Sequence, residues 1–273
     1  MRTVAFLNRK GGVGKTSCVH HLAGTLSLAG RRVLLVDTDP QASLTQGLLG
    51  PEVAWSLPEG ETLAALYHEA GGAPLPSLIR STPVPGVWLV PGSERMDHYN
   101  VPDPWLTGED QFVLRDALGE VRGDFDLALL DGPPHVQFCA WSALAAADGI
   151  VVPLQPEDYG AQGVAAIQDS IDRVRAVANP SLALLGFLVT MYNKALSVHV
   201  TYETNLRAVY GSDVFDAVIP LAKDFKEAVT VRKPVAQFKP RSAASQAVSA
   251  LAEELLRRLD ERVPSAGAGR RVA

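Results

Sequence analysis

The chain has 273 residues, of which 47% are hydrophobic and 20% charged, and it carries a net charge of −5. That length supports one substantial core, or a core with a small lobe, and the acidic balance excludes a uniformly basic nucleic-acid binder while leaving room for a local basic patch. Apolar runs such as GIVVPLQP and LALLGFLV fall short of the ~18–20 residues a membrane span needs, and the N-terminus lacks signal-peptide anatomy, so the cytoplasm is expected.

The first apolar run, TVAFLN, reads as a strand and leads directly into RKGGVGKTS, followed by the helical pattern SCVHHLAGTLSLAG. Strand, glycine-rich loop and helix in that order make a phosphate cradle from Gly11, Gly12, Val13, Gly14, Lys15, Thr16 and Ser17. Glycines let successive N–H groups turn toward phosphate oxygens, and the helix adds the positive end of its dipole. Lys15 is placed to neutralise β- and γ-phosphate charge, and the Thr16 hydroxyl to ligate Mg²⁺. A second lysine, Lys10, stands ahead of the glycines and has no role in that scheme.

Next, RVLLVDTDPQ places Asp37 and Asp39 at the carboxyl end of a second strand, and FDLALLDGPP places Asp131 at the end of another. Carboxylates there face the crevice in which parallel sheets bind ligands. Asp131 has the position of a metal-assisting aspartate, and DGPP that of a γ-phosphate sensor. Asp37 also fits a purely structural strand-end carboxylate. Residues 51–110, rich in proline and glycine, interrupt the rhythm and read as a peripheral elaboration.

Further strands are expected at VWLVPG, GIVVPLQP, LALLGFLVTMY and DVFDAVIP, with AQGVAAIQDSIDRVRAVA as an amphipathic helix. Such alternation predicts an α/β fold, a mostly parallel twisted sheet with helices on both faces, as in P-loop NTPases. Cys18 and Cys139 lack metal-type spacing and read as core thiols rather than a disulfide or cluster ligands. In MYNKALS, Asn193 and Lys194 imitate a guanine-reading element, but Leu196 stands where its aspartate would be, which favours adenine.

The stretches KGGVGKTS, VDTDPQAS, LLDGPP, VPLQPEDYGAQGV and VIP…KPV, in this order over nearly the whole chain, resemble the ParA/MinD family of deviant Walker A partition and positioning ATPases. The likeness is greatest to the short, Soj-like ParA proteins. It implies one ATPase domain over 1–262, with ATP and Mg²⁺ as ligands; the small, polar composition of PSAGAGRRVA separately reads as a disordered tail over 263–273. It also implies that Lys10 reaches the nucleotide of a partner subunit in an ATP-dependent homodimer, and that Asp39 positions the attacking water. Asp37 and Asp131 would support Mg²⁺, while Asn193 and Pro220 would lie on the adenine side; a plain loop asparagine is the alternative for Asn193.

A DNA-bound, nucleoid-associated switch with a ParB-like activating partner follows from the same resemblance. Within 221–241, Lys223, Lys226, Arg232, Lys233, Lys239 and Arg241 oppose Asp224 and Glu227, a local net charge of +4 suited to nonspecific phosphate contacts on duplex DNA. The family often has arginines where Leu221 and Asp224 stand, and a solvated helix face is the competing reading. A MinD-like protein would end in a basic amphipathic membrane helix. The leucines of SAASQAVSALAEELLRRLDER suit packing on the parent domain instead, so no membrane partner is expected. A positioning scaffold for another cargo, without significant DNA binding, is the alternative function.

Overall fold

The computed structural model describes residues 1–68, 72–156 and 160–263. The chain opens with β1 (Arg2–Phe6), α1 (Lys15–Leu28), β2 (Val33–Asp37), α2 (Ser43–Leu49) and α3 (Pro51–Ser56). It continues through α4 (Leu75–Leu78), β3 (Arg80–Ser81), β4 (Val87–Val90), α5 (Val113–Glu120), β5 (Leu127–Asp131) and α6 (Phe138–Ala146). The remaining elements are β6 (Gly149–Leu154), α7 (Gly160–Val177), β7 (Ala183–Val189), α8 (Ser197–Tyr210), α9 (Lys223–Thr230), α10 (Val235–Phe238) and α11 (Ala243–Arg262).

The strands form one sheet in the order β3-β4-β2-β5-β1-β6-β7, parallel throughout except for the short edge pair β3 and β4. Every residue of β2 and β5 is buried, as continuous Val/Leu runs covered on both faces should be. Side chains alternate between two cores: Ala5 and Leu7 face one, with Leu114, Trp141, Ile167 and Leu206 from α5, α6, α7 and α8. Val4 and Phe6 face the other, with Leu22, Phe225, Val235 and Leu255 from α1, α9, α10 and α11. Cys18 and Cys139 are free, buried and on opposite faces, which makes them core thiols. Leu251, Leu255 and Leu259 of α11 are buried against the domain, and among the described residues no helix is long and apolar enough to cross a membrane.

Two departures from the sequence reading have physical causes. Residues 213–220 do not form a strand; they run beside β7 through only two isolated bridges, Phe187 with Val214 and Tyr192 with Pro220. Phe215 N and Ile219 N donate to Phe187 O and Val189 O (2.9 Å each), but side chains of α11 take several of the neighbouring backbone groups. Arg258 donates to the carbonyls of Leu185 (2.8 Å), Ser212 (2.9 Å) and Val214 (2.7 Å), while Glu254 accepts from Asp216 N (3.0 Å) and Ala217 N (2.8 Å). These two residues also pair with each other while buried, so removing either alone would cost about 3–5 kcal/mol. Within 51–110, β4 extends the sheet beside β2, and Leu63, Leu75, Leu78 and Met96 are buried in the core, so that stretch is not wholly peripheral. Of the tail expected from 263, Val263 is buried, and 264–273 lie outside the described residues.

Candidate functional site

The carboxyl ends of β1, β2 and β5 lie side by side, with Phe6 in register with Asp131 and Asp131 with Asp37. The loop after β1 therefore lies beside the Asp131 loop, with the Asp37 loop next beyond it. Gly12 and Gly14 adopt φ of 76° and 84°, the left-handed conformation that glycine enters at little cost, and α1 starts at once with Lys15. Lys15 is buried; its ammonium donates to the carbonyls of Lys10 (3.2 Å) and Asn8 (3.5 Å), inside the turn that would receive phosphate. Burial lowers its pKa, opposed by the charges of Asp131 and Asp39. Lys10, by contrast, is exposed on the outside of the loop.

Asp131 is fully buried and neither carboxylate oxygen has a hydrogen-bond partner of ordinary geometry. Its pKa is pushed well up by burial and by Asp37, while the Thr16 hydroxyl and Lys15 pull the other way. An orphaned carboxylate beside a threonine hydroxyl fits a Mg²⁺ ion that takes its other oxygens from phosphate and water. Among the described residues no cluster of three or more His, Cys, Asp or Glu could hold a metal by itself.

Asp37 is engaged differently. Its carboxylate accepts from Thr45 Oγ1 (2.6 Å), Thr45 N (2.8 Å) and Asp39 N (3.3 Å). Burial still lifts its pKa to about 7, against the Thr45 bonds. This geometry favours the structural alternative, in which Asp37 fixes the 38–45 loop. That loop presents the half-buried Asp39, whose carboxylate accepts from Gln41 N (3.0 Å), and it contains Ala42 at φ 49°. A non-glycine residue held in the left-handed region costs of order 1–3 kcal/mol, a strain characteristic of functional loops.

An apolar cavity of about 420 Å³ opens beside Gly14, Thr16 and Ser17 and is walled by Met191, Pro220, Leu221 and Phe225. Pro220 thus lines a cavity that adjoins the phosphate turn. Asn193 does not line the cavity; its carboxamide oxygen accepts from Ala195 N (3.0 Å) in a local turn, as the plain loop reading required.

The six cations of 221–241 are not equivalent. Lys239 is bound by Asp224 and Glu227, each at 2.6 Å, so its charge is neutralised by both acids of the patch and its task is to fasten α9. Lys223, Lys226, Arg232, Lys233 and Arg241 remain exposed, Lys223 within 3.5 Å of Glu227.

Sequence reasoning missed the residues that brace the site. Asn8 ties β1 to β6 through Pro153 O (2.6 Å) and accepts from Lys10 N (3.1 Å). Thr190 Oγ1 donates to Val13 O (2.8 Å), fastening the loop to the end of β7. A polar residue ending an apolar strand was the available signal for both.

Residues 1–184 match the family model described as an AAA domain. The chain is similar to the chromosome-partitioning ATPase Soj of Thermus thermophilus, 40% identical over 261 residues that cover 96% of this chain and 98% of that protein. It is also similar to the chromosome partitioning protein ParA of Caulobacter vibrioides, 34% identical over 265 residues covering 96% of each. Among solved structures, cobyrinic acid a,c-diamide synthase from Mycobacterium smegmatis with bound ADP and magnesium aligns with a TM-score of 0.79 at 28% identity, covering 97% of this chain and 98% of that one.

Proposed function

We propose a DNA-partition switch for this chain, which belongs to the ParA/Soj family of ATPases. It is an ATPase that binds ATP with Mg²⁺ and releases ADP and phosphate. In our reading, residues 1–262 form a single ATPase domain that dimerises on ATP, binds duplex DNA without reading sequence, and is activated by a ParB-like partner in the cytoplasm, on the nucleoid. The observation that carries this is the division of labour between two lysines: Lys15 buried within the phosphate turn and Lys10 exposed outside it.

The backbone N–H groups of the loop and the Lys15 ammonium hold the β- and γ-phosphates. Thr16 and Asp131 are the residues that would hold Mg²⁺, which spreads the phosphate charge when bound. Asp39 orients the attacking water, and the 38–45 loop that carries it is fixed by Asp37 and Thr45. Lys10 of one protomer supplies charge to the nucleotide of the other, so dimerisation depends on the γ-phosphate and hydrolysis removes the reason to pair. The exposed cations of 221–241, doubled in the dimer, give a salt-sensitive hold on DNA.

Light scattering and a DNA shift assay, each run with ATP, a hydrolysis-resistant analogue and ADP, test this reading. A dimer and DNA binding that both require ATP or the analogue support it. A dimer indifferent to nucleotide refutes the switch. An ATP-dependent dimer that ignores DNA moves the chain to the positioning-scaffold class.

A further inference from the structure

The segment after β4 touches both loops that carry the site's aspartates. At its start, Gly92 N donates to Thr45 Oγ1 (2.9 Å), the hydroxyl that in turn donates to Asp37. At its end lies Asn100, against the first turn of α6. Helix α6 follows directly on Asp131–Gln137, and its N-cap residue Gln137 makes no side-chain cap. The cap comes from across the fold. Asn100 Oδ1 accepts from Cys139 N (3.1 Å), Val101 O accepts from Phe138 N (3.1 Å), and Asn100 Nδ2 donates to Gln137 Oε1 (3.0 Å).

The opposite end of Asp131–Gln137 is equally constrained. Gly132 N donates to Phe6 O (3.1 Å), and a Cβ at Gly132 would come within 2.9 Å of the Leu7 side chain, so the chain leaves β5 along one path. Pro134 then lies against Gly11 of the phosphate loop. Between these anchors, Pro133 is buried and Val136 packs against the core, while Pro134 meets the phosphate loop. Their path therefore depends on where α6 begins, and Asn100 holds that start through both Cys139 N and Gln137 Oε1.

We infer that Asn100 is a positioning residue for ATP hydrolysis: with Gly92, it makes residues 92–101 a strap that fixes the Asp131–Gln137 segment relative to the Asp39 loop. The inference rests on the ATPase reading. The strap does not touch the cradle that binds phosphate, so it acts on turnover and not on nucleotide affinity. A misplacement of about 1 Å at a reacting centre is enough to cost roughly a hundredfold in rate.

The test compares steady-state ATP hydrolysis and analogue binding for Asn100→Ala, Asn100→Asp and Gln137→Ala. Asn100→Ala should lower kcat by about tenfold, short of that limit because Val101 O still caps Phe138, with KM and analogue affinity unchanged. Asn100→Asp keeps the acceptor for Cys139 N at a helix N-terminus, where a carboxylate is favoured, and should recover most of kcat. Gln137→Ala should cost less than Asn100→Ala and add nothing to it in the double variant. Wild-type kcat in Asn100→Ala would overturn the inference, as would a fall in analogue affinity that matches the loss of rate. If Asn100→Ala does not fold, Asn100→Asp and Gln137→Ala still decide: a tenfold loss in Asn100→Asp with unchanged kcat in Gln137→Ala overturns it. Absence of ATP turnover in the wild-type protein would instead defeat the ATPase reading on which the strap depends.

Discussion

The Lys15 ammonium lies 3.2 Å from the carbonyl oxygen of Lys10, so one lysine's charge closes the phosphate turn at the base of the other. The Lys10 side chain then leaves the loop on the exposed side. Charge-assisted hydrogen bonds of about 1.5–3 kcal/mol are lost in Lys15→Ala, which should bind ATP roughly 10- to 100-fold more weakly. Lys10→Ala should keep most of its ATP affinity and fail to dimerise. Titration with a fluorescent nucleotide and light scattering separate the two; equal loss of binding in both variants would refute the assignment.

Asp39→Ala should hold the ATP-bound dimer, because the attacking water loses its orienting carboxylate while the phosphate contacts remain. Turnover is expected to drop by about 100-fold or more, with nucleotide affinity preserved. Phosphate release and dimer lifetime are the measurements. Unchanged turnover would return Asp39 to a turn-forming role with Gln41.

His20 and His21 are both buried in α1 behind the phosphate loop, and burial lowers their pKa values to about 4 and about 3. As pH falls below 6.5, an unfolded histidine takes up its proton before the folded one does, so the native state loses stability until the folded pKa is reached. His20 alone should remove about 3 kcal/mol between pH 6.5 and 4. His20→Leu should flatten this slope, so that its melting temperature gains on the wild type as pH is lowered from 7 to 5. A constant difference across that range would contradict the burial account.

Removing exposed cations of the 221–241 patch should weaken binding to any duplex and lower the salt slope by roughly 0.9 per lost phosphate contact. A Lys226→Glu, Arg232→Glu double variant is the informative one, measured by salt titration in the presence of ATP. Lys239→Ala should instead leave the slope unchanged and loosen α9, since Lys239 is held by Asp224 and Glu227. A reduced slope in Lys239→Ala would place that residue on the DNA after all.

Much of the site was legible because its parts are local. A strand, a glycine turn and a helix start need only neighbouring residues, and an aspartate that ends an apolar strand is placed by the strand itself. The parallel sheet followed from the βα alternation for the same reason. Tertiary structure decided what depends on partners distant in sequence. Asp37 became a loop fastener because Thr45 sits eight residues away and donates twice. Lys239 left the exposed cations because α9 and the residues after α10 bring it onto two carboxylates. The run 213–220 failed to become a regular strand because Glu254 and Arg258, unreadable as neighbours in the sequence, occupy part of its hydrogen-bonding groups. Periodicity states which residues can form an element; which donors and acceptors are already taken is settled only when the helices have packed.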